Sequence, residues 1–534
     1  MMSTPPGRAL GGGALLAVVA AVLFFQDLGR YPLVDPDEAR HAEVAREMAE
    51  ARGLRRLFLP TLDLEPYREK PAGYYWLVGL ADAVLGPGEL AARSVSALAA
   101  LLGVLALYAY AVPRFGVAGA LGAGLVAATS VGWFALARYA NLDMALTGSV
   151  AVGVLSGLAW LDRPVPRRPP LTPYVAAGLG TLVKGPVAAV LVLGPLALAA
   201  LVRRPRPGAG EVGLGRGILL CCGVGALLYV PLGLLDRTYL TAFAATNLRR
   251  FGAASPHAAG IHFYFVWIPI LLLPWTLLAG PAVVRAWRDP GRRALVVWAA
   301  FVPALLTLPR GKLATYALSA LLPLALIVGP ELARTALAGP TAEEQPVLRA
   351  GGWLAAVALV GVASLAVATS VYPLAPLGRT VVAAAALGWA AVLAVLLRGD
   401  RLAGVPLAVL GAMLTLYPLG VRLVAPAVAA LHSTRDLARL AADAGPAPMI
   451  AFAVRDPSLT FYLRTPVIHT ADMALVRDVF AADGAAFLVT SPRHFAEVEA
   501  GLGARAQIWH ETRRRRLYSN RPRAATAQER NGSW

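Results

Sequence analysis

Long apolar runs separated by short polar loops dominate the chain, the pattern of a polytopic membrane protein and not of a soluble globule. A spanning helix needs about 20 apolar residues, so runs of that order can be counted. Thirteen are predicted, near 9–26, 91–112, 115–135, 142–160, 172–184, 186–202, 217–236, 263–284, 294–309, 313–335, 351–373, 379–398 and 402–425. The 172–202 stretch also reads as one long kinked span, which would invert the side of everything after it. Between the first two runs lies a polar stretch, 27–70, followed by a short apolar and aromatic segment, 72–85. Residues 38–50 (EARHAEVAREMAE) favour helix, and Asp35, Pro36 and Asp37 ahead of them form a credible N-terminal cap. We read these segments as amphipathic helices on the outer surface. From about 430 the pattern changes: LHSTRDLARLAADAG and LVRDVFAAD predict helices, PMIAFAV and AAFLVTS strands. The predicted fold is mainly α. A transmembrane helical bundle covers 1–428, with its first outer loop at 27–90, followed by a small soluble α/β domain at 429–518 and a disordered tail at 519–534.

Composition agrees, with 57% hydrophobic and 15% charged residues and a mean hydropathy of +0.61. A net charge of +18 would point to nucleic acid in a soluble protein. Here Arg114, Arg163, Arg167, Arg168, Arg203, Arg204, Arg206 and Arg216 fall in short loops on one side of the predicted bundle. Arg285, Arg288, Arg292, Arg293, Arg398 and Arg401 continue the pattern, a positive-inside signal that leaves no nucleic-acid footprint. Arg513–Arg516 reads as a solvated or lipid-facing strand edge. The adjacent Cys221 and Cys222 read as small core residues. The first run has no cleavage site before Gln26-Asp27 and reads as a retained helix. Neither a P-loop nor a glycine-rich strand-to-helix turn is present, so neither ATP nor a bound dinucleotide is indicated.

The 49 basic residues include only three lysines, Lys70, Lys184 and Lys312, each beside glycine or proline. An ammonium group is a compact point charge that suits a single phosphate oxygen, where arginine prefers bidentate pairing. On the predicted map these lysines share the outer face with Asp37, Glu38, Glu69, Arg138, Asp143, His257, His262 and Arg310. Ionisable groups gathered at a membrane boundary mark a functional site by default. A lipid-borne phosphate carrying a group to be transferred fits this set. Cations would stabilise the departing phosphate while Asp37 or Asp143 takes a proton from the attacking hydroxyl, and direct displacement would invert the anomeric centre. Plainer roles compete. Asp37 can cap a helix, Asp143 can sit at a helix start, Lys184 can snorkel, and Tyr74-Tyr75-Trp76 and Tyr316 can be interfacial aromatics.

Six short segments, in consistent order over roughly the first 335 residues, carry a family resemblance: Asp37-Glu38-Ala39-Arg40-His41, Glu69-Lys70-Pro71, Leu142-Asp143-Met144, Val183-Lys184-Gly185-Pro186, Asn247-Leu248-Arg249-Arg250-Phe251 and Arg310-Gly311-Lys312 through Tyr316. Together they resemble the GT-C membrane glycosyltransferases that use polyprenyl-phosphate sugars, in particular the lipid A aminoarabinose transferase and protein mannosyltransferase branches. The resemblance implies a bacterial inner-membrane enzyme with its site and C-terminal domain on the extracytoplasmic side. It implies a polyprenyl-phosphate sugar donor and an acceptor that is a lipid A-like glycolipid, a protein hydroxyl or an envelope glycan. By motif, Asp37 and Asp143 become catalytic, Lys70, Lys184, Lys312 and Tyr316 meet the donor phosphate, and Glu38, Arg40 and Arg138 support them. Glu69 and His257 correspond to a pair of ligands for a zinc-like divalent metal, although two ligands are a weak metal signal. The chain departs from the pattern at Asn247, where relatives often carry histidine, and at Ala258-Ala259-Gly260, which displaces the usual proline and aromatics. A lipid or sugar transporter or flippase is the alternative reading, with the Lys184-Gly185-Pro186 break as a discontinuous helix, but no matching break occurs in the second half.

Overall fold

The predicted apolar runs all become helices in the computed structural model, which describes residues 6–163, 168–202, 207–252, 255, 257–368 and 375–523. Arg167, Arg203, Arg204, Arg206 and the predicted tail beyond 523 lie outside those residues. Among the described residues, eight helices are long and apolar enough to cross a membrane, or nine if the pair Phe263–Leu272 and Thr276–Arg288, bent by 106°, counts as one span. The difference from thirteen is geometric. Two predicted runs merge in the 41-residue helix Glu89–Thr129, kinked at Gly116 where φ is +68°. The helices Thr172–Lys184, Val187–Val202 and Arg293–Thr307 have only 13, 16 and 15 residues.

The 172–202 ambiguity resolves into two helices that pack against each other. A Cβ built on Gly180 would lie 2.9 Å from the Ala188 Cβ, so the chain folds back at Lys184-Gly185-Pro186. Gly185, at φ +95°, supplies the backbone conformation that this turn needs. Lys184 therefore sits at a hairpin tip, at the same end of the bundle as Asp143 at the start of Leu142–Leu161. At the other end of that helix, Asp162 pairs with Arg114. Arg285, Arg292 and Arg334 are joined to Glu331 and Glu344 in a second network.

Small residues let the central helices approach closely, as association within a membrane requires. A Cβ on Gly122 would lie 2.2 Å from the Gly329 carbonyl oxygen, where Glu89–Thr129 crosses Leu321–Ala338. Gly122→Val is therefore expected to lower stability by at least about 1–3 kcal/mol, seen as loss of folded yield or of melting temperature in detergent. Gly280→Ala, where an added Cβ meets nothing within 4 Å, is the control expected to change neither. Of the two cysteines on Leu214–Leu235, Cys221 is half-buried and packs against the core, whereas Cys222 is exposed and is not a core residue.

Beyond His432 the chain forms a layered α/β domain. Its sheet has the order β4-β3-β5-β7-β6, after a two-stranded hairpin, β1 (Thr61–Leu62) and β2 (Glu65–Pro66), in the polar stretch between the first two spans. Strands β3 (Met449–Phe452), β4 (Val467–Thr470) and β5 (Phe487–Thr490) run parallel, and β6 (Gln507–Glu511) and β7 (Arg516–Ser519) add antiparallel. Parallel strands with helical crossovers are buried on both faces, which explains the continuous apolar runs MIAF and FLVT. Arg513 and Arg514 are exposed as expected, whereas Arg515 and Arg516 are half-buried: Arg515 pairs with Asp456, and Arg516, on a strand between two others and not at a sheet edge, pairs with Glu499 and Glu511.

Candidate active site

The helix Asp37–Glu50 forms as predicted but has no side-chain cap. The Asp37 carboxylate, about half exposed, instead accepts from Arg40 Nη1 at 3.1 Å, and Asp35 turns to the C-terminal domain. What holds the helix start is Glu38. Fully buried, it takes a two-point contact from Arg93 (Nε–Oε1 and Nη2–Oε2, both 2.7 Å) and accepts from the backbone N–H groups of Val34 and Ala140. Arg93 donates further to the carbonyls of Leu28, Tyr31 and Pro32, so this buried ion pair is fully hydrogen-bonded. The supporting role expected of Glu38 thus takes the form of an anchor beside Asp37.

Asp143 lies in the first turn of its helix, which Asn141 caps by accepting from the Met144 N–H at 2.8 Å. Asp143 is left to pair with Lys184. The Lys184 ammonium also stands 4.3 Å above the Tyr316 ring centroid, and the Tyr316 hydroxyl accepts from Arg250 Nη1 at 2.9 Å. Lys70 completes this group. Burial, then Arg250 and Lys184, pull its ammonium down to about 8, against the opposing pull of Glu69 and Asp143. Among the described residues no carboxylate forms an ion pair with Lys70. Its carbonyl, which accepts from the Tyr239 hydroxyl at 2.7 Å, is fixed. Asp37 lies within electrostatic range of both Lys184 and Tyr316.

The structure thus gathers Asp37, Arg40, Lys70, Asp143, Lys184 and Tyr316, together with Arg250, whose importance went unrecognised within the Asn247–Phe251 motif. Nothing in the sequence marks this arginine among so many, nor does it mark His41. It is packed between Tyr74 and Tyr75, and burial and then Lys70 push its imidazole well below the ordinary range, so it serves as a neutral ring. Tyr74 and Tyr75 are themselves fully buried and are not interfacial belt residues.

Two expected members lie elsewhere. Lys312 is buried, and its ammonium donates to the carbonyls of Ala259 (3.0 Å) and Pro309 (2.6 Å). Backbone bonds from Gly311 to Arg250, Ala259 to Arg310 and Lys312 to His257 zip the same two loops together. The Ala258-Ala259-Gly260 departure from the family pattern is therefore a docking segment, and Lys312 braces the loop that carries Arg250. Lys312→Met is expected to cost about 1–3 kcal/mol of stability, read by thermal unfolding, with a smaller effect on donor affinity than loss of Lys70. Arg138 is buried at the end of Pro6–Phe25, where it donates to the Leu23 and Gln26 carbonyls and closes that helix end.

Among the described residues no group of three His, Cys, Asp or Glu side chains is placed to hold an ion. His257 is exposed at φ +64°, and Glu69 accepts from the Tyr67 hydroxyl at 3.4 Å.

Comparison with known proteins places this arrangement. Residues 69–209 match the family described as dolichyl-phosphate-mannose-protein mannosyltransferase. The undecaprenyl phosphate-alpha-4-amino-4-deoxy-L-arabinose arabinosyl transferase of Pseudomonas aeruginosa strain UCBPP-PA14 is 30% identical over 381 residues, covering 66% of this chain and 65% of the relative. The match thus spans slightly less than two thirds of that relative's length. The crystal structure of ArnT from Cupriavidus metallidurans bound to undecaprenyl phosphate superposes with a TM-score of 0.79 at 21% identity, covering 96% of this chain and 98% of that one. The archaeal oligosaccharyltransferase AglB from Archaeoglobus fulgidus, in complex with an inhibitory peptide and a dolichol-phosphate, superposes at 0.50 with 11% identity, covering 91% and 69%. This multi-pass membrane protein is thus similar in sequence to an undecaprenyl-phosphate aminoarabinose transferase and shares the fold of ArnT.

Proposed function

We propose that the chain transfers a sugar from a polyprenyl-phosphate donor to an acceptor at the extracytoplasmic face of a bacterial inner membrane. The observation that carries this reading is the group of three cations, Lys70, Lys184 and Arg250, beside an exposed carboxylate, Asp37. The excess positive charge asks for an anion. Among the described residues Lys70 has no carboxylate of its own, and Arg250 and Tyr316 present further donors. The relatives act on or bind undecaprenyl phosphate and its aminoarabinose conjugate, which fits that demand.

In the reaction, the acceptor oxygen attacks the anomeric carbon and forms the new glycosidic bond. The bond from that carbon to the phosphate oxygen breaks, and its electron pair leaves with the polyprenyl phosphate. Lys70, Arg250 and Lys184 balance the charge that develops there. Asp37 receives the acceptor's proton, because Asp143 is already committed to Lys184 and holds that ammonium over Tyr316. Attack from the face opposite the phosphate inverts the anomeric centre. The acceptor classes are a lipid A-like glycolipid, a protein hydroxyl and an envelope glycan. Purified protein incubated with labelled polyprenyl-phosphate sugars and membrane extract is expected to release polyprenyl phosphate and yield a product of opposite anomeric configuration, read by NMR. Retained configuration, or transport of intact donor without release, would contradict the reading.

A further inference from the structure

Asp37 is held from two directions. On its C-terminal side Glu38 ties the loop to Arg93 and the 138–141 turn of the membrane domain. On its N-terminal side the membrane domain holds Tyr31 and Pro32 through Arg93 and Val34 through Glu38, and the C-terminal domain adds anchors at Leu33 and Asp35. The Leu33 N–H donates to the Tyr462 hydroxyl at 2.8 Å, and that hydroxyl donates to Glu89 at 2.9 Å. The Asp35 N–H donates to the His432 carbonyl at 2.9 Å. The Asp35 carboxyl accepts from the Ser458 N–H at 2.8 Å and meets the Ser458 hydroxyl, which is fully buried and accepts from the Thr434 N–H at 2.9 Å. Farther along the loop, Asp63 meets Thr460 Oγ1 at 3.0 Å and His469 Nε2 at 3.3 Å. Phe461 packs into the cluster of Leu33, Val44, Met48 and Tyr67.

The contacts from the C-terminal domain all fall on Pro457–Leu463, the helix leaving β3, and on the elements beside it. In an open α/β sheet the crevice beyond the carboxyl ends of the strands, where successive crossovers diverge, is the usual ligand position. Here β3 feeds β4 on one side and β5 lies on the other, and the first outer loop of the membrane domain occupies that position. We propose that the C-terminal domain acts as a positioning arm for Asp37, with Asp35, Ser458 and Tyr462 as positioning residues that set its carboxylate against the acceptor. The proposal rests on Asp37 being the proton acceptor.

The clamp has a built-in pH dependence. Burial, then the neighbouring Asp456, raise the Asp35 carboxyl from 3.8 to about 7, with Ser458 and Arg515 opposing. A carboxyl raised in the docked state favours docking at low pH, and the advantage is lost as pH rises from 3.8 to about 7. His469 is raised by its bond to Asp63, with Arg455 opposing, so this second contact also weakens as pH rises through the His469 titration. Asp63, lowered by His469, Thr460 and Arg455 against its burial, loses its contribution only on the acid side of its ordinary value. Asparagine at position 35 reproduces the neutral acid, accepting from the Ser458 N–H and donating to its hydroxyl.

The test uses full-length Asp35→Ala, Tyr462→Phe and Asp35→Asn proteins, with Asp37→Asn as reference. Turnover and undecaprenyl phosphate affinity are measured in parallel. Asp35→Ala is expected to lose about 10–100-fold in kcat, the cost of a displacement near 1 Å, with donor affinity unchanged. Tyr462→Phe should fall in the same direction, and Asp35→Asn should restore turnover. The ratio of native to Asp35→Asn kcat should decline as pH rises through about 7. Native kcat in Asp35→Ala, or equal loss of kcat and donor affinity, would overturn the proposal, as would a failure of Asp35→Asn to rescue. Native turnover in Asp37→Asn would instead overturn the underlying assignment of the base.

Discussion

Asp37→Asn is expected to lower the rate of sugar transfer by about 10²–10⁴-fold, the usual contribution of a positioned general base. Binding of polyprenyl phosphate should survive, because Asp37 contacts Arg40 and lies outside the ion pair that orders Lys184. The fold should survive too, since the helix start is fastened by Glu38 and Arg93 while the Asp37 side chain caps nothing. Single-turnover transfer from labelled donor, measured beside undecaprenyl phosphate affinity, separates the two effects. Asp143→Asn should behave differently: freeing Lys184 from its partner weakens the donor seat as well as the rate.

Lys70→Met is expected to weaken donor binding by roughly 10–100-fold, the worth of one charge-assisted hydrogen bond of about 1.5–3 kcal/mol. Unlike Lys184 and Lys312, Lys70 has no carboxylate or carbonyl partner among the described residues to leave behind, so its loss reports on the ligand. It also gives the pH dependence a sign. With the ammonium drawn down to about 8 by burial and by its cationic neighbours, the group is charged below that value and neutral above it. Affinity of the native protein for undecaprenyl phosphate should therefore fall as pH rises through about 8, and Lys70→Met should flatten that limb. Titrations at low and high pH on the two proteins check both statements. An unchanged affinity in Lys70→Met would remove this lysine from the donor seat.

Hydrophobic pattern carried most of the fold because apolar length is a direct physical requirement of a membrane helix. The start of Leu142–Leu161 and the break after Lys184 were visible as polar or Gly-Pro interruptions. Pattern alone is silent on how far a helix continues through a kink. Gly116 therefore joins two predicted runs, while the Leu273-Pro274 region bends one predicted run into two helices. The site was legible where chemistry is rare in the sequence: lysine in an arginine-rich chain, and an acid directly before a helix run. It was not legible where a common residue acquires its role from long-range contact. Arg250 is one of many arginines, and its approach to Tyr316 depends on the zipper between the 249–260 and 309–312 loops. Lys312 failed the same way in reverse, because nothing in Arg310-Gly311-Lys312 reveals that two carbonyls from those loops surround its ammonium. Asp35 looked like a cap because the residue that binds it, Ser458, is 423 positions away.

The central claim is that one chamber places a lipid phosphate on Lys70, Lys184 and Arg250 and its anomeric carbon before Asp37. A cryo-EM structure of the Asp37→Asn protein with an intact polyprenyl-phosphate sugar tests this directly. The expected result is phosphate density within hydrogen-bonding distance of Lys70 and Arg250, with the sugar facing residue 37. Phosphate bound at Arg310 and Lys312, or a sugar turned away from residue 37, would contradict it.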